Sequence, residues 1–286
     1  MHALILVAHP EPQSFNAHLA GTAAAAWRDH GHTATVIDLY AEDFDPREAR
    51  GHYRDPLDPA RFDAQREQRH HWRRGTLAPT IERHLALLRA ADALVLQFPL
   101  WWFGAPAILK GWMDRVFVYG ALYGSSRRHE HGPLRGRAAL LSVTTGSSAA
   151  ACAPGGREGD TRLLLWPLMY ALRYIGFEVL EPHLIHDVRG DLDGAAAGAR
   201  AAATRIARGS PTGPGGRACR STPARTSART ARSGPTHRPT ARSSATRGAT
   251  PDAHGLDAGR APPVVDSRAA SAARSKPATR RTPRQA

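Results

Sequence analysis

Three short segments of the sequence carry groups that could hold a phosphorylated or planar ligand. The first, residues 9–16 (HPEPQSFN), offers His9, Ser14 and Asn16 directly before an Ala-rich helical pattern. Unpaired backbone N–H groups and the dipole at a helix N-terminus favour a bound phosphate. The segment lacks the glycines of a Rossmann turn or a P-loop, so it favours a mononucleotide-type site. Taken alone, it is more typical of a helix cap at Ser14 and a strand end at His9.

The second segment places Trp101, Trp102 and Phe103 in a row after an apolar run. We expect one of these rings in the core. At the edge of a sheet, consecutive aromatic residues can flank a planar ring system while the adjacent backbone supplies N–H donors, which predicts a flavin platform. The third segment, residues 142–148 (SVTTGSS), ends another apolar run with small hydrogen-bonding residues. Such turns are common, and only its position at the same edge makes it informative.

The elements around these segments alternate between strand and helix. This alternation predicts a doubly wound α/β fold with five parallel strands in a three-layer sandwich. Ligands bind at the carboxyl ends of such strands, which points to the loops 9–16, 99–104 and 144–159. A long polar stretch, residues 42–75, is expected to be a loop. The predicted strands are 3–8, 33–39, 93–98, 138–144 and 177–184, and the predicted helices are 15–30, 81–90, 107–118, 162–174 and 192–207, the last losing its pattern midway.

The composition changes near residue 204. Residues 205–286 contain 17 of the 39 Lys and Arg residues and 3 of the 25 acidic ones, so residues 1–204 are balanced at 22 each. The C-terminal part has almost no aliphatic residues and is predicted to be a disordered basic tail after a domain of residues 1–204. It could be a solvated segment without a role, a nucleic-acid-binding arm or the product of a shifted reading frame. No motif or interleaved aromatic residue accompanies the charge, which argues against nucleic acid as a partner.

The cysteine and histidine content speaks against metal sites and disulfides. The two cysteines, Cys152 and Cys219, lie on either side of the composition change, so no disulfide or thiolate metal site is expected. The histidines at 70, 71, 129 and 131 lack the spacing of a metal site and are expected to be solvated. No basic leader or apolar run of about 18 residues is present at the N-terminus, so we expect a cytoplasmic protein.

Four segments together resemble a known family. AHPEPQSFN, FPLWWFGAPAILKGWMDRVF, GPLRGRAALLSVTTG and LLLWPLMYALRYIGFEVLEP are similar, in order over residues 2–190, to the NAD(P)H:quinone oxidoreductases, which include DT-diaphorase and ancillary oxidoreductases of potassium-efflux systems. The resemblance implies a flavodoxin-like fold and a homodimer with bound FAD, or alternatively FMN. NAD(P)H would be the electron donor and a quinone the acceptor, in a ping-pong cycle. The alternative is an ancillary flavoprotein subunit of a membrane transporter.

The resemblance also implies roles for individual residues. The acceptor would lie in a slot between subunits, in contact with Trp102, Phe103 and Tyr123. The residues that would hold the pyrophosphate and ribityl part of FAD are His9, Ser14, Phe15 and Asn16, and those that would hold the isoalloxazine are Pro99, Leu100, Trp101, Trp102, Phe103, Thr144, Thr145 and Gly146.

Three positions depart from the family pattern. Cys152 and Glu158 stand where mammalian members have a Tyr and a His that are thought to relay a proton, and Ser125 replaces a second slot tyrosine. Glu158 is the candidate catalytic residue, because a carboxyl group partly shielded by flavin would have a raised pKa. The alternative is a solvent-facing glutamate without a catalytic role.

Overall fold

The computed structural model describes residues 1–188 and 192–208. The predicted tail therefore lies outside the described residues, apart from its first four positions. The strands are β1 (His2–Val7), β2 (Thr33–Asp38), β3 (Ala93–Pro99), β4 (Ala138–Thr144), β5 (Glu178–Val179) and β6 (His183–Ile185). The helices are α1 (Phe15–Asp29), α2 (Ala64–Arg74), α3 (Pro79–Ala90), α4 (Ala107–Val116), α5 (Thr161–Tyr174) and α6 (Leu192–Ala207).

The sheet is parallel, with the order β2-β1-β3-β4-β5 and with β6 also paired to β4. This confirms the doubly wound α/β prediction. The expectation of one last strand over residues 177–184 is wrong, because the chain forms two short strands that pair with different parts of β4. Pro182 lies between them and has no backbone N–H for a ladder. The two strands extend the edge of the sheet to Ile185.

Both faces of the sheet are buried. Within β1, Leu4 and Leu6 pack into one core, while Ala3, Ile5 and Val7 pack into the other together with Trp27 of α1. A strand covered on both faces needs an unbroken apolar run, which is why β1, β3 and β4 were predicted almost to the residue.

The polar stretch of residues 42–75 contains a helix that the sequence analysis missed. Asp63 caps α2 by accepting from the Arg66 N–H, and Gly75 ends it in a left-handed conformation. The helix buries polar rather than apolar side chains. His71, expected to be solvated, is buried there, with its Nδ1 at 2.8 Å from Thr76 Oγ1.

The C-terminal helix α6 packs on α1 without a break. Ala202, Ala203 and Ile206 are buried in the core beside Trp27. The His32 ring contacts the last helical carbonyl, with Nε2 at 2.7 Å from the oxygen of Ala207. The helical pattern therefore continues past residue 204, where the domain boundary was expected. Within the described residues, no helix is long and apolar enough to cross a membrane.

Candidate active site

The three predicted loops meet at one edge of the sheet. Because β1, β3 and β4 are neighbouring parallel strands, their carboxyl ends lie side by side; Val7 pairs with Gln97, and Pro99 pairs with Thr144. The backbone N–H of Leu100 donates to the Thr144 carbonyl at 2.9 Å and holds the second loop to the third.

A buried polar cluster lies beneath these loops. Gln97 Nε2 donates to Asn16 Oδ1 at 2.8 Å, and Asn16 Nδ2 donates to Thr144 Oγ1 at 3.1 Å. All three residues are at most 5% exposed. The side chains of Asn16 and Thr144, expected to touch a cofactor, thus bind each other and position the loops. The sequence analysis did not identify Gln97. An amide side chain inside an otherwise apolar strand indicates a buried hydrogen bond, and it could have identified this residue.

The start of α1 shows the capping role. Ser14 Oγ accepts from the Ala17 N–H at 3.2 Å, and His9 Nδ1 accepts from the Glu11 N–H at 3.1 Å. Within the described residues, no hydrogen bond engages the backbone N–H groups of Phe15 and Asn16. These two groups, at the positive end of the helix dipole, are the donors that a phosphate would meet.

The aromatic segment forms a strained turn. Trp101 and Gly104 exchange backbone hydrogen bonds of 2.9 and 3.0 Å across Trp102 and Phe103. Both central residues have positive φ, 49° and 62°, as in a type I′ turn, which normally uses Asn-Gly. A side chain in this region costs roughly 1–2 kcal/mol. The rings are 39%, 96% and 50% exposed in chain order, so the expectation that one ring is in the core is wrong.

This turn and the loop after β4 border a cavity of about 330 Å³. Glu158 lines it with a side chain that is 30% exposed, and its Oε1 lies 3.3 Å from Arg157 Nε. Cys152 is buried, with Sγ 3.9 Å from Thr145 Oγ1. Cys152 and Glu158, two of the three residues that depart from the family pattern, therefore line the same cavity. Its lining consists of Leu100, Trp102, Phe103, Thr145, Gly146, Ser147, Cys152, Glu158 and Thr161.

A histidine that the sequence analysis missed supports the cavity wall. His186 Nδ1 lies 3.0 Å from Thr145 Oγ1, which itself donates to the Ser147 carbonyl at 2.9 Å. Burial, with a smaller contribution from Arg162, lowers the pKa of His186. The imidazole is thus neutral at neutral pH. Its position directly after β6, at the ligand edge, was the signal that could have identified it.

Tyr123 does not reach this cavity within one chain. Its ring contacts Tyr119 and Tyr174, with centroids 5.3 and 5.8 Å away, and its hydroxyl accepts from Gln65 Nε2 at 3.3 Å. It lines a separate groove of about 430 Å³.

The donors around the first cavity fit a flavin. Within the described residues, no hydrogen bond engages the backbone N–H groups of Trp102, Phe103, Gly146 or Ser147. The carbonyl oxygens and ring nitrogens of an isoalloxazine accept hydrogen bonds, and the exposed aromatic rings offer stacking surfaces. The residues present therefore suit this cofactor better than they suit an apolar ligand.

We expect the Trp102→Gly variant to be more stable and to bind flavin less tightly. Glycine relieves the left-handed strain and stabilises the fold by about 1 kcal/mol, because the ring is almost fully exposed and contributes little burial. Loss of a stacking ring should weaken flavin affinity about tenfold. Thermal unfolding and flavin titration measure the two effects. Trp102→Phe is the control that keeps the strain, and a Trp102→Gly variant with lower stability would contradict the account.

Comparison with known proteins agrees with this geometry. A family model described as flavodoxin-like fold matches residues 1–208. The NAD(P)H dehydrogenase (quinone) 1 of Rattus norvegicus is 39% identical over 188 residues, covering 65% of this chain and 69% of that protein. The ribosyldihydronicotinamide dehydrogenase (quinone) of Homo sapiens is 41% identical over 183 residues, covering 63% and 79%.

A solved structure supports the same assignment. A Klebsiella pneumoniae protein assigned as a quinone reductase is 34% identical, with a TM-score of 0.67, over 72% of this chain and 83% of that one. The family match spans the whole of the described fold, and the four sequence segments all lie within it. The chain therefore belongs to the NAD(P)H:quinone oxidoreductase family, whose fold is flavodoxin-like.

Proposed function

We propose that this chain is a cytoplasmic flavoenzyme that reduces quinones or related electrophiles with NAD(P)H. The observation that carries the proposal is the convergence of free backbone donors, exposed aromatic rings and a carboxylate around one cavity at the ligand edge of the sheet. The quinone-reducing relatives support the electron acceptor. A buried free thiol at Cys152 agrees with a reducing compartment.

The proposed cofactor is FAD, with FMN as the alternative. Its phosphates would be held by the N-terminus of α1, through the Phe15 and Asn16 N–H groups and His9. Its ring would be held by the Trp101–Gly104 turn and by the backbone at Thr145 and Gly146. When bound, the flavin would take a hydride from NAD(P)H and deliver it to the acceptor, in a ping-pong cycle.

Glu158 is the proposed proton carrier. Reduction of a quinone by a hydride also consumes a proton, and Glu158 is the acid-base side chain in the cavity wall that keeps contact with water. A carboxylate in that position can take a proton from solvent and pass it to the acceptor oxygen.

The position of Tyr123 supports a homodimer. If this residue contacts the acceptor, as the resemblance implies, it must come from a second copy, because within one chain it lines a different groove. The slot would then contain Trp102 and Phe103 of one subunit and Tyr123 of the other. The alternative of a transporter subunit gains no support from the relatives described above.

The absorbance spectrum tests the function directly. We expect the purified protein to bind FAD, to lose the flavin absorbance when NADPH is added without oxygen, and to regain it when a quinone follows. A parallel sample without quinone should stay bleached. Failure to bind flavin, or bleached flavin that no quinone reoxidises, would reject the proposal.

The turnover rate of a Glu158 variant tests the proton-carrier role. We expect Glu158→Gln to lower kcat by about 10²-fold, because the amide cannot carry a proton. Cys152→Ser is the control, since it changes another residue that lines the cavity and leaves the carboxylate in place. An unchanged kcat in Glu158→Gln would show that protons arrive by another route.

Mixing two variants tests the shared slot. Trp102→Gly and Tyr123→Ala should each reduce activity alone. When they are denatured and refolded together, about half of the dimers are mixed and each mixed dimer has one intact slot, so about a quarter of the activity should return. Separately refolded samples that are combined afterwards are the control. No recovery in mixed dimers would place both residues in one subunit's slot or exclude Tyr123 from it.

A further inference from the structure

We propose that Glu158 selects the electron acceptor by charge, so that the enzyme favours neutral and cationic planar acceptors over anionic ones. This inference rests on the proposed function, because it concerns the acceptor that would approach a flavin held in this cavity. It extends that function from the reaction to the class of substrate.

Glu158 is the charged side chain among the described residues that line the cavity. The rest of the lining is aromatic, aliphatic, small or neutral. A single charge beside weakly polarisable walls acts over a longer range than it would on an open surface. An acceptor that approaches a flavin held in the cavity therefore meets a negative potential at the cavity wall.

The cationic side chains near Glu158 neutralise little of its negative charge. The Arg157 guanidinium lies 3.3 Å from Glu158 Oε1, but its side chain is 86% exposed, and water and salt screen such pairs. The imidazole beside Thr145 adds no positive charge at neutral pH, because burial and Arg162 hold the pKa of His186 below its ordinary value. Arg162 itself is paired with Glu181.

The aromatic wall acts in the same direction. The faces of Trp102 and Phe103 carry partial negative charge, and both rings are exposed beside the cavity. Such faces attract cations and give an anionic substituent no compensating contact. Two independent features, the carboxylate and the rings, thus oppose a sulfonate or carboxylate on the acceptor.

The test compares a neutral naphthoquinone with its sulfonated derivative, using holoenzyme whose flavin has been reduced beforehand so that the donor plays no part. For Glu158→Gln, the second-order rate constant of flavin reoxidation by the sulfonated acceptor, relative to that by the neutral one, should rise about three- to tenfold at low salt. The rise should shrink as ionic strength increases. The ratio separates charge selection from proton transfer, which affects both acceptors.

The matched control is Glu82→Gln, which makes the same change of charge at an exposed position of α3 outside the cavity lining. For this variant, the rate with the sulfonated acceptor relative to the neutral one should stay at the wild-type value. A ratio that is unchanged in Glu158→Gln, or that shifts equally in both variants, would overturn the inference while leaving quinone reduction intact.

Binding supplies a readout that does not depend on turnover. Naphthalene and naphthalenesulfonate cannot be reduced by the enzyme, and quenching of tryptophan fluorescence in the oxidised holoenzyme reports their affinities. We expect Glu158→Gln to tighten binding of the sulfonate alone. If neither protein reduced any quinone, the proposed function would fail, and these affinities would still decide whether Glu158 selects by charge.

Discussion

The candidate site depends on the buried hydrogen bonds that join Asn16, Gln97 and Thr144. These residues come from the first helix, from the central strand β3 and from the end of β4, so the bonds join the start of α1 to both strands. An unpaired buried amide costs about 1–3 kcal/mol, so losing one partner penalises the others. The cluster therefore fixes the loop positions on which the cavity and its free N–H donors depend. The same three residues therefore support both the N-terminus of α1 and the cavity.

The polar cluster stabilises the fold, whereas the Trp102–Phe103 turn destabilises it. Its two aromatic residues adopt a backbone conformation that suits asparagine or glycine, and neither ring is buried in return. The sheet can bear this strain because β3 and β4 are held by full ladders up to the turn. This strain agrees with the proposed role of the turn in holding the flavin ring.

Much of the fold was predictable from the sequence because it follows from local patterns. Fully buried strands such as β3 require continuous apolar runs, and the approximate limits of α1 follow from its cap and its Ala-rich face. The helix α2 was missed because it is held by the caps Asp63 and Gly75 and by Glu67, whose carboxylate accepts from the Leu57 N–H, rather than by an apolar stripe. The split of the last strand depends on pairing with β4, which no local pattern reveals.

The site was predictable in its location but less so in its details. The prediction that loops at adjacent strand ends meet is confirmed, since Trp102, Phe103, Thr145 and Glu158 surround one cavity. All three rings are exposed because the chain forms a turn of a type that Trp and Phe rarely adopt. The residue types therefore did not predict this turn, and they suggested a buried ring instead. Whether Asn16 faces a ligand or a neighbour depends on contacts with Gln97, 81 residues away.

The topology of the sheet has a consequence for how the protein folds. The central contacts join Ala3 with Ala93 and Ala93 with Ala138, so the centre of the sheet forms only after long segments of chain have closed. Folding is slow because the chain loses entropy when these long loops close, before the contacts between the strands can offset that loss. The cavity, bounded by the ends of these strands, is complete only in the final structure. A ligand held there would therefore slow unfolding rather than accelerate folding, and its effect would be to prolong the lifetime of the native state.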